Sequence, residues 1–394
     1  MSKNRELFLK HLAQTTPFPV GLEIDRAEGV FLYDTDGKRY LDLIGGVAVS
    51  NIGHRHPTVV AALQKQLDKH LHVMVYGEYI QEVQVQLAHR LAAVLPENLS
   101  MVYLVNSGTE ANEGAIKLAK RYTGRYEVVG FHHSYHGSTH GSLSLTGNET
   151  KKGGYRPLLP GTRFISFNDE TALSKITTAT AAVIIEPVQG DAGVRIPAPN
   201  YLKALRDRCN ATDTLLIMDE VQTGFGRTGK RFAFEHFDVV PDIITLAKGM
   251  GGGMPIGAFI SAPEIMECLT HDPMLGHITT FGGHPMSCAA ALANLDVLTD
   301  ELIGQVAAKG NLFKELLQHP SVREIRGIGL MLALELKDYD QVSTLFHHCL
   351  ENGVIGFWFL SSNNSFRIAP PLTIDEEAIK MACTVIREGL DLLK

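Results

Sequence analysis

The sequence has no apolar stretch long enough to cross a bilayer. Its longest strongly apolar run, residues 353–360, falls well short of the ~20 residues that a spanning helix needs. An excess of positive charge is also missing: 36 Lys and Arg face 43 Asp and Glu, a net −7 spread along the chain. That balance argues against nucleic acid or an anionic membrane as the main partner. Cysteine is scarce. Cys209, Cys268, Cys288, Cys349 and Cys383 form no CxxC pair, and an odd, scattered set reads as reduced thiols instead of a disulfide framework. Internal repeats and low-complexity tracts are absent. The opening MSKNRELFLKHLAQ carries charges every few residues and no apolar stretch of signal-peptide length. Together these absences predict a soluble, cytoplasmic protein.

What is present fits a folded chain of 394 residues, 45% hydrophobic and 20% charged, a balance that excludes a disordered one. The segment GVFLYDTDGKRYLDL alternates like a hairpin around Asp36-Gly37, and residues 56–72 read as an amphipathic helix with Pro57 at its start. From about residue 80, short apolar runs alternate with helix-length stretches: MVYLV (101–105), EVVGF (127–131), RFISF (163–167), AAVIIE (181–186), TLLIMD (214–219), DIITLA (242–247) and GAFIS (257–261). Runs apolar on both faces suit a sheet covered by helices, so a mainly parallel α/β domain is predicted. A helix over 296–317, the run IRGIGLMLALEL, a further helix, FRIAPPLTI and a closing helix from Asp375 predict a smaller α+β domain. The expected division is 1–60 as an N-terminal segment joining the small domain, 61–300 as the large domain and 301–394 as the small one.

Ligands of α/β sheets collect where strands end and helices begin. Three such ends carry unusual residues. Ser107-Gly108-Thr109 opens a helix after MVYLV and offers backbone N–H groups, hydroxyls and a positive dipole end, which suit a phosphate. Ser107 and Glu110 also have the spacing of a capping box, the commoner use of such residues. Asp219 ends a wholly apolar strand, where a carboxylate is costly to bury without a cationic partner; Glu220 and Gln222 follow. A solvent-exposed strand end is the plain alternative. Nearby, Gly224 to Lys230 nearly fits a nucleotide-binding loop but places Arg231 where a magnesium-binding Ser or Thr belongs, and no apolar helix follows. Lys248 lies between the run DIITLA and the glycine-rich GMGGG, surroundings that can desolvate an amine, lower its pKa and leave room for a bulky adduct. A phosphate cradle, a buried acid and a desolvatable lysine are what pyridoxal phosphate requires.

In order along the chain, NSGTEANEGAIKLA, SYHGSTHGSLSLTG, IIEPVQGDAGV, MDEVQTGFGRTGK, TLAKGMGGGMPIGA, TTFGGHPMSCAAA and FRIAPPL resemble the class III, or ω-, aminotransferases of fold type I, closest to the acetylornithine and ornithine branch. The resemblance implies that Lys248 carries pyridoxal phosphate as a Schiff base and moves the substrate proton. By the same resemblance Asp219 pairs with the pyridine nitrogen and Gln222 sits near the ring hydroxyl. Ser107, Gly108 and Thr109 hold the phosphate with Thr280 of the partner subunit, and Tyr135 stacks on the ring. Glu186 belongs to the cofactor pocket, and Arg367 grips a substrate carboxylate. A homodimer with composite sites is implied, with an amino donor and a 2-oxo acid as substrates.

Several positions depart from the acetylornithine/ornithine pattern. Ser138 replaces a substrate-binding arginine, Asp191 replaces a longer glutamate thought to mask Arg367, and His284 replaces an asparagine. Thr15 and Val47 align with tyrosines of the ornithine enzymes. The shorter Asp191 is expected to mask Arg367 less well unless its loop lies further inward. His132, His133, His136 and His140 include two pairs four apart, but the interleaved Gly137 and Gly141 argue against the helix a metal site would need, and no metal is expected. The expected activity is a ping-pong transfer from an ω-amino donor to a 2-oxo acid. An aminomutase and an ω-amine:pyruvate aminotransferase are the same-fold alternatives; a cofactor-free binding protein is the alternative outside enzymes.

Overall fold

In the computed structural model, which describes residues 2–393, the seven apolar runs form one sheet. From edge to edge its strands are Met101–Val105, Gly257–Ser261, Ile243–Leu246, Leu215–Asp219, Thr180–Ile185, Glu127–Phe131 and Thr162–Ile165. All pairings are parallel except the two made by Gly257–Ser261. The strand Thr180–Ile185 is buried at every position, so both faces are covered, and each buried Ile or Val there contributes roughly 1.5–3 kcal/mol. The third run, RFISF, is shorter as a strand than its apolar pattern suggests: the strand stops at Ile165, before Ser166 and Phe167.

The helix Gly108–Thr123 packs one face on the sheet through Ala111, Ala115, Leu118 and Ala119 and ends at Gly124, whose φ of 67° supplies the left-handed turn. Gly114 lets that face approach closely, since a Cβ there would lie 2.3 Å from Phe259 Cε1. The expected single helix over 296–317 is two, Pro285–Val297 and Asp300–Leu316. Thr299 divides them, because its side chain accepts from Leu302 N at 3.2 Å and caps the second, with Asp300 and Glu301 in its first turn.

Two further sheets lie outside the main one. The antiparallel strands Ile24–Glu28, Phe31–Asp34 and Arg39–Asp42 are joined in parallel by Val354–Ile355. Glu324–Ile328, Met331–Glu335, Ser365–Ile368 and Phe357–Trp358 form the other. Arg227 ties these regions together: its guanidinium donates to Leu330 O at 2.9 Å, Pro370 O at 2.6 Å and Asn51 Oδ1 at 2.6 Å. Fully buried, its pKa is pushed down to about 9. Residues 221–230 are a succession of turns that deliver Arg227 inward, and no α-helix opens from them as a nucleotide-binding loop would require. No helix among the described residues is long and apolar enough to cross a membrane.

Candidate active site

The strands Met101–Val105, Glu127–Phe131, Thr180–Ile185, Leu215–Asp219 and Ile243–Leu246 point their C-terminal ends the same way, and a cavity of about 490 Å³ opens there. Ser107, Gly108, Thr109, Tyr135, Ser138, Glu186, Asp219, Gln222 and Lys248 all line it. Nine residues spread over 142 positions of the sequence thus line one cavity, because each lies at or beyond the end of a strand.

Lys248 comes two residues after Ile243–Leu246, with a φ of 44° that is strained for a side-chain-bearing residue. Its surface is open only toward the cavity, and burial lowers the pKa of its amine. Asp219, Glu186 and Asp191 oppose that shift and Arg367 adds to it. Among the described residues the amine has no hydrogen-bond or ion-pair partner.

Asp219 is buried at its strand end and fully engaged. Oδ2 accepts from Asn112 Nδ2 at 2.8 Å and meets His136 Nδ1 at 2.7 Å, while Oδ1 accepts from Val221 N at 3.0 Å. Asn112 is itself held, donating to His136 O at 2.7 Å and accepting from Thr245 Oγ1 at 2.7 Å. Asn112 and Thr245 carry no motif that singles them out in the sequence. For Asn112 a signal existed: it falls one turn after Gly108, on the face otherwise made of Ala111, Ala115 and Ala119. For the histidine cluster the sequence favours a loop over the cofactor ring instead of a metal site, and neither reading predicts the bond from His136 to Asp219. His132 and His133 are exposed, His136 is buried on Asp219, and a short helix, His140–Leu145, does form despite Gly141. Gly141 assists that helix, because its bare backbone lets the Glu113 carboxylate accept from Gly141 N at 2.8 Å and Ser142 N at 3.1 Å.

At the helix start, Ser107 Oγ accepts from Glu110 N at 3.3 Å, so the capping reading is realised. The same turn nevertheless faces the cavity, and among the described residues the N–H groups of Gly108 and Thr109 find no acceptor. Thr109 Oγ1 meets Thr139 Oγ1 at 2.8 Å, which ties the loop carrying Tyr135 and Ser138 to this turn. Glu186 accepts from Tyr135 N at 3.0 Å and Gly190 N at 3.1 Å; burial still pushes its pKa up to about 7.

Arg367 and Asp191 are both buried, and Arg367 Nη2 donates to Asp191 Oδ1 at 2.8 Å. The shorter acid therefore does reach the arginine, contrary to the weaker masking expected, because residues 359–361 close over it. Leu360 N and Ser361 Oγ both donate to its carboxylate, at 3.2 Å each. Arg367 itself lies 4.3 Å over the Phe359 ring. Thr280 is exposed and lies outside the lining of its own chain's cavity. Apart from Lys248 and His136, no basic side chain among the described residues lines that cavity.

The residues present fit pyridoxal phosphate. An unpartnered amine of lowered pKa suits a carbonyl adduct, a fixed buried carboxylate suits a ring nitrogen, and a helix start with free N–H groups suits a phosphate.

The family model "Aminotransferase class-III" matches residues 13–390. An acetylornithine aminotransferase from Methanopyrus kandleri is 40% identical over 391 residues, covering 98% of each chain. A putrescine aminotransferase from Pectobacterium atrosepticum is 40% identical over 382 residues, covering 92% of this chain and 80% of that one. Among solved structures, an ornithine aminotransferase from Toxoplasma gondii, described with partial occupancy of pyridoxal phosphate at its active site, superposes with a TM-score of 0.91. It is 31% identical, covering 98% of this chain and 92% of that one.

Proposed function

Since the chain belongs to the class III aminotransferases, which are pyridoxal-phosphate enzymes of fold type I, we propose that it moves an amino group from an ω-amino donor to a 2-oxo acid in two half-reactions. The observation that carries the residue assignment is the unpartnered amine of Lys248 in a cavity that Asp219 also lines.

Pyridoxal phosphate supplies a carbonyl that condenses with amines and a ring that accepts the electrons released when a C–H bond breaks. Lys248 would hold it through Nζ and move the substrate proton there, the lowered pKa favouring the uncharged form of the amine. Asp219 would face the ring nitrogen, kept in place by Asn112, His136 and Val221 N. Gly108 and Thr109 would donate their free N–H groups to the phosphate, with Ser107 beside them. Tyr135 would cover one ring face, Gln222 would approach the ring hydroxyl, and Glu186 would border the pocket beside Tyr135.

Arg367 is proposed to bind the carboxylate of the acceptor once Asp191 gives way, a bidentate contact that suits a 2-oxo acid. The donor end differs. With Ser138 where an arginine would stand and no other arginine along the cavity, a terminal amine lacking an α-carboxylate fits as a donor as well as acetylornithine or ornithine does.

A homodimer in a cytoplasmic setting completes the proposal. Leu71, Val73, Ile80, Met274, Ile278 and Phe281 are exposed, and a 4.9 Å ring contact between His72 and Phe281 brings their two segments together. Such an apolar surface suits a second copy, whose Thr280 would then reach the phosphate.

The test is a donor-by-acceptor screen of the loaded enzyme with stoichiometry. Transamination consumes one 2-oxo acid per amine; turnover without any 2-oxo acid would mean an aminomutase instead. Sedimentation showing a fully active monomer would remove the composite site.

A further inference from the structure

The pairing of Asp191 with Arg367 is held from outside by a second layer of hydrogen bonds. Ser361 Oγ accepts from Asn148 Nδ2 at 2.9 Å and donates to Asp191 Oδ2 at 3.2 Å. The order of donation follows from the chemistry. A hydroxyl has one hydrogen, and Asn148 already presents an N–H to the oxygen, so the Ser361 proton is directed onto the carboxylate. Asn148 is itself oriented, because its Oδ1 accepts from Thr150 N at 3.1 Å and Thr150 Oγ1 at 2.7 Å. Ser361 N adds a bond to Asp191 O at 3.3 Å.

The two members of the ion pair are unequally satisfied. The Asp191 carboxylate receives three donors, from Arg367, Leu360 N and Ser361. Among the described residues the buried guanidinium of Arg367 forms its salt bridge with Asp191 alone, and its Nε has no hydrogen-bond partner. Opening therefore requires the acid to leave its other donors, whereas the arginine stays ready for another carboxylate.

We propose that Ser361, oriented by Asn148, latches Asp191 onto Arg367 and so sets how readily a carboxylate-bearing substrate gains that arginine. This rests on the reading that Arg367 binds the acceptor carboxylate. Ser361 is a positioning residue: it acts on the equilibrium between masked and available arginine, so it governs the KM of the carboxylate substrate more than kcat. A terminal amine without a carboxylate does not compete with Asp191 and is insensitive to the latch.

The test compares wild type with Ser361→Ala, Ser361→Thr and Asn148→Ala as loaded enzymes. Two quantities are read: the KM of a 2-oxo dicarboxylic acid and the inhibition constant of a saturated five-carbon dicarboxylate. Loss of one hydrogen bond to a charged group should lower both in Ser361→Ala by about ten- to a hundredfold. Ser361→Thr keeps a hydroxyl and should return the wild-type values, and Asn148→Ala should shift them in the same direction as Ser361→Ala. Constants that stay the same in both alanine variants, or that rise, overturn the latch. Arg367→Met separates this from the underlying reading. If it leaves the inhibition constant unchanged, Arg367 does not bind the carboxylate at all; if it raises the constant while Ser361→Ala does nothing, only the latch fails.

Discussion

His136 Nδ1 lies 2.7 Å from Asp219 Oδ2, and both side chains are buried. The histidine comes from the loop after Glu127–Phe131 and the acid from the end of Leu215–Asp219, so the contact joins two strand ends beside the cavity. With Asn112 on the same oxygen, the carboxylate has little freedom to turn. His136→Phe keeps ring volume and removes the bond. A hydrogen bond to a charged group contributes about 1.5–3 kcal/mol, so the apoprotein should bind pyridoxal phosphate roughly ten- to a hundredfold more weakly. Absorbance titration measures this, and an unchanged dissociation constant would show that Asn112 and Val221 N suffice.

Lys248→Ala should abolish turnover, a loss of at least about 10²–10⁴-fold for the proton transfer alone. Its stability should hardly change, because the amine has no partner to lose. The depressed pKa has a definite sign: the reactive uncharged amine is populated at lower pH than for solvated lysines. Reductive methylation of the apoprotein near neutral pH should therefore label Lys248 ahead of surface lysines. Mass spectrometry finding it among the last to react would contradict the burial argument.

Ser138→Arg should improve donors that carry an α-carboxylate, such as ornithine and N-acetylornithine, by about ten- to a hundredfold in kcat/KM. Ser138 is exposed at the cavity rim, its Oγ 3.4 Å from Tyr135 OH, so the longer side chain has room. Non-carboxylate terminal amines should gain nothing. Equal gains for both donor classes would mean that the arginine acts on the fold or the cofactor.

Gly114→Ala would ordinarily favour a helix by up to about 1 kcal/mol. Here the added methyl would meet Phe259, whose ring is pinned by Tyr103 at 4.8 Å and His277 at 5.7 Å. A net loss of about 1–3 kcal/mol is expected, read as a lower denaturant midpoint. A raised midpoint would mean that the helix shifts freely off the sheet.

The seven strands, the helix opening at Ser107 and the placement of Lys248 and Asp219 at strand ends were determined by the sequence alone. The signals are local: apolar runs, a serine before a run of helix formers, a lysine between an apolar run and glycines. Tertiary structure decided what those signals meet. His136 and Asp219 lie 83 residues apart, and Asp191 and Arg367 lie 176 apart. Each of these polar groups is stable in the interior only because the fold brings it a partner, and a sequence read along its length does not give that distance. The same limit explains Asp191. Its shortness was visible, but whether it reached Arg367 depended on where residues 359–361 lay, and their position follows from the sheet that flanks them.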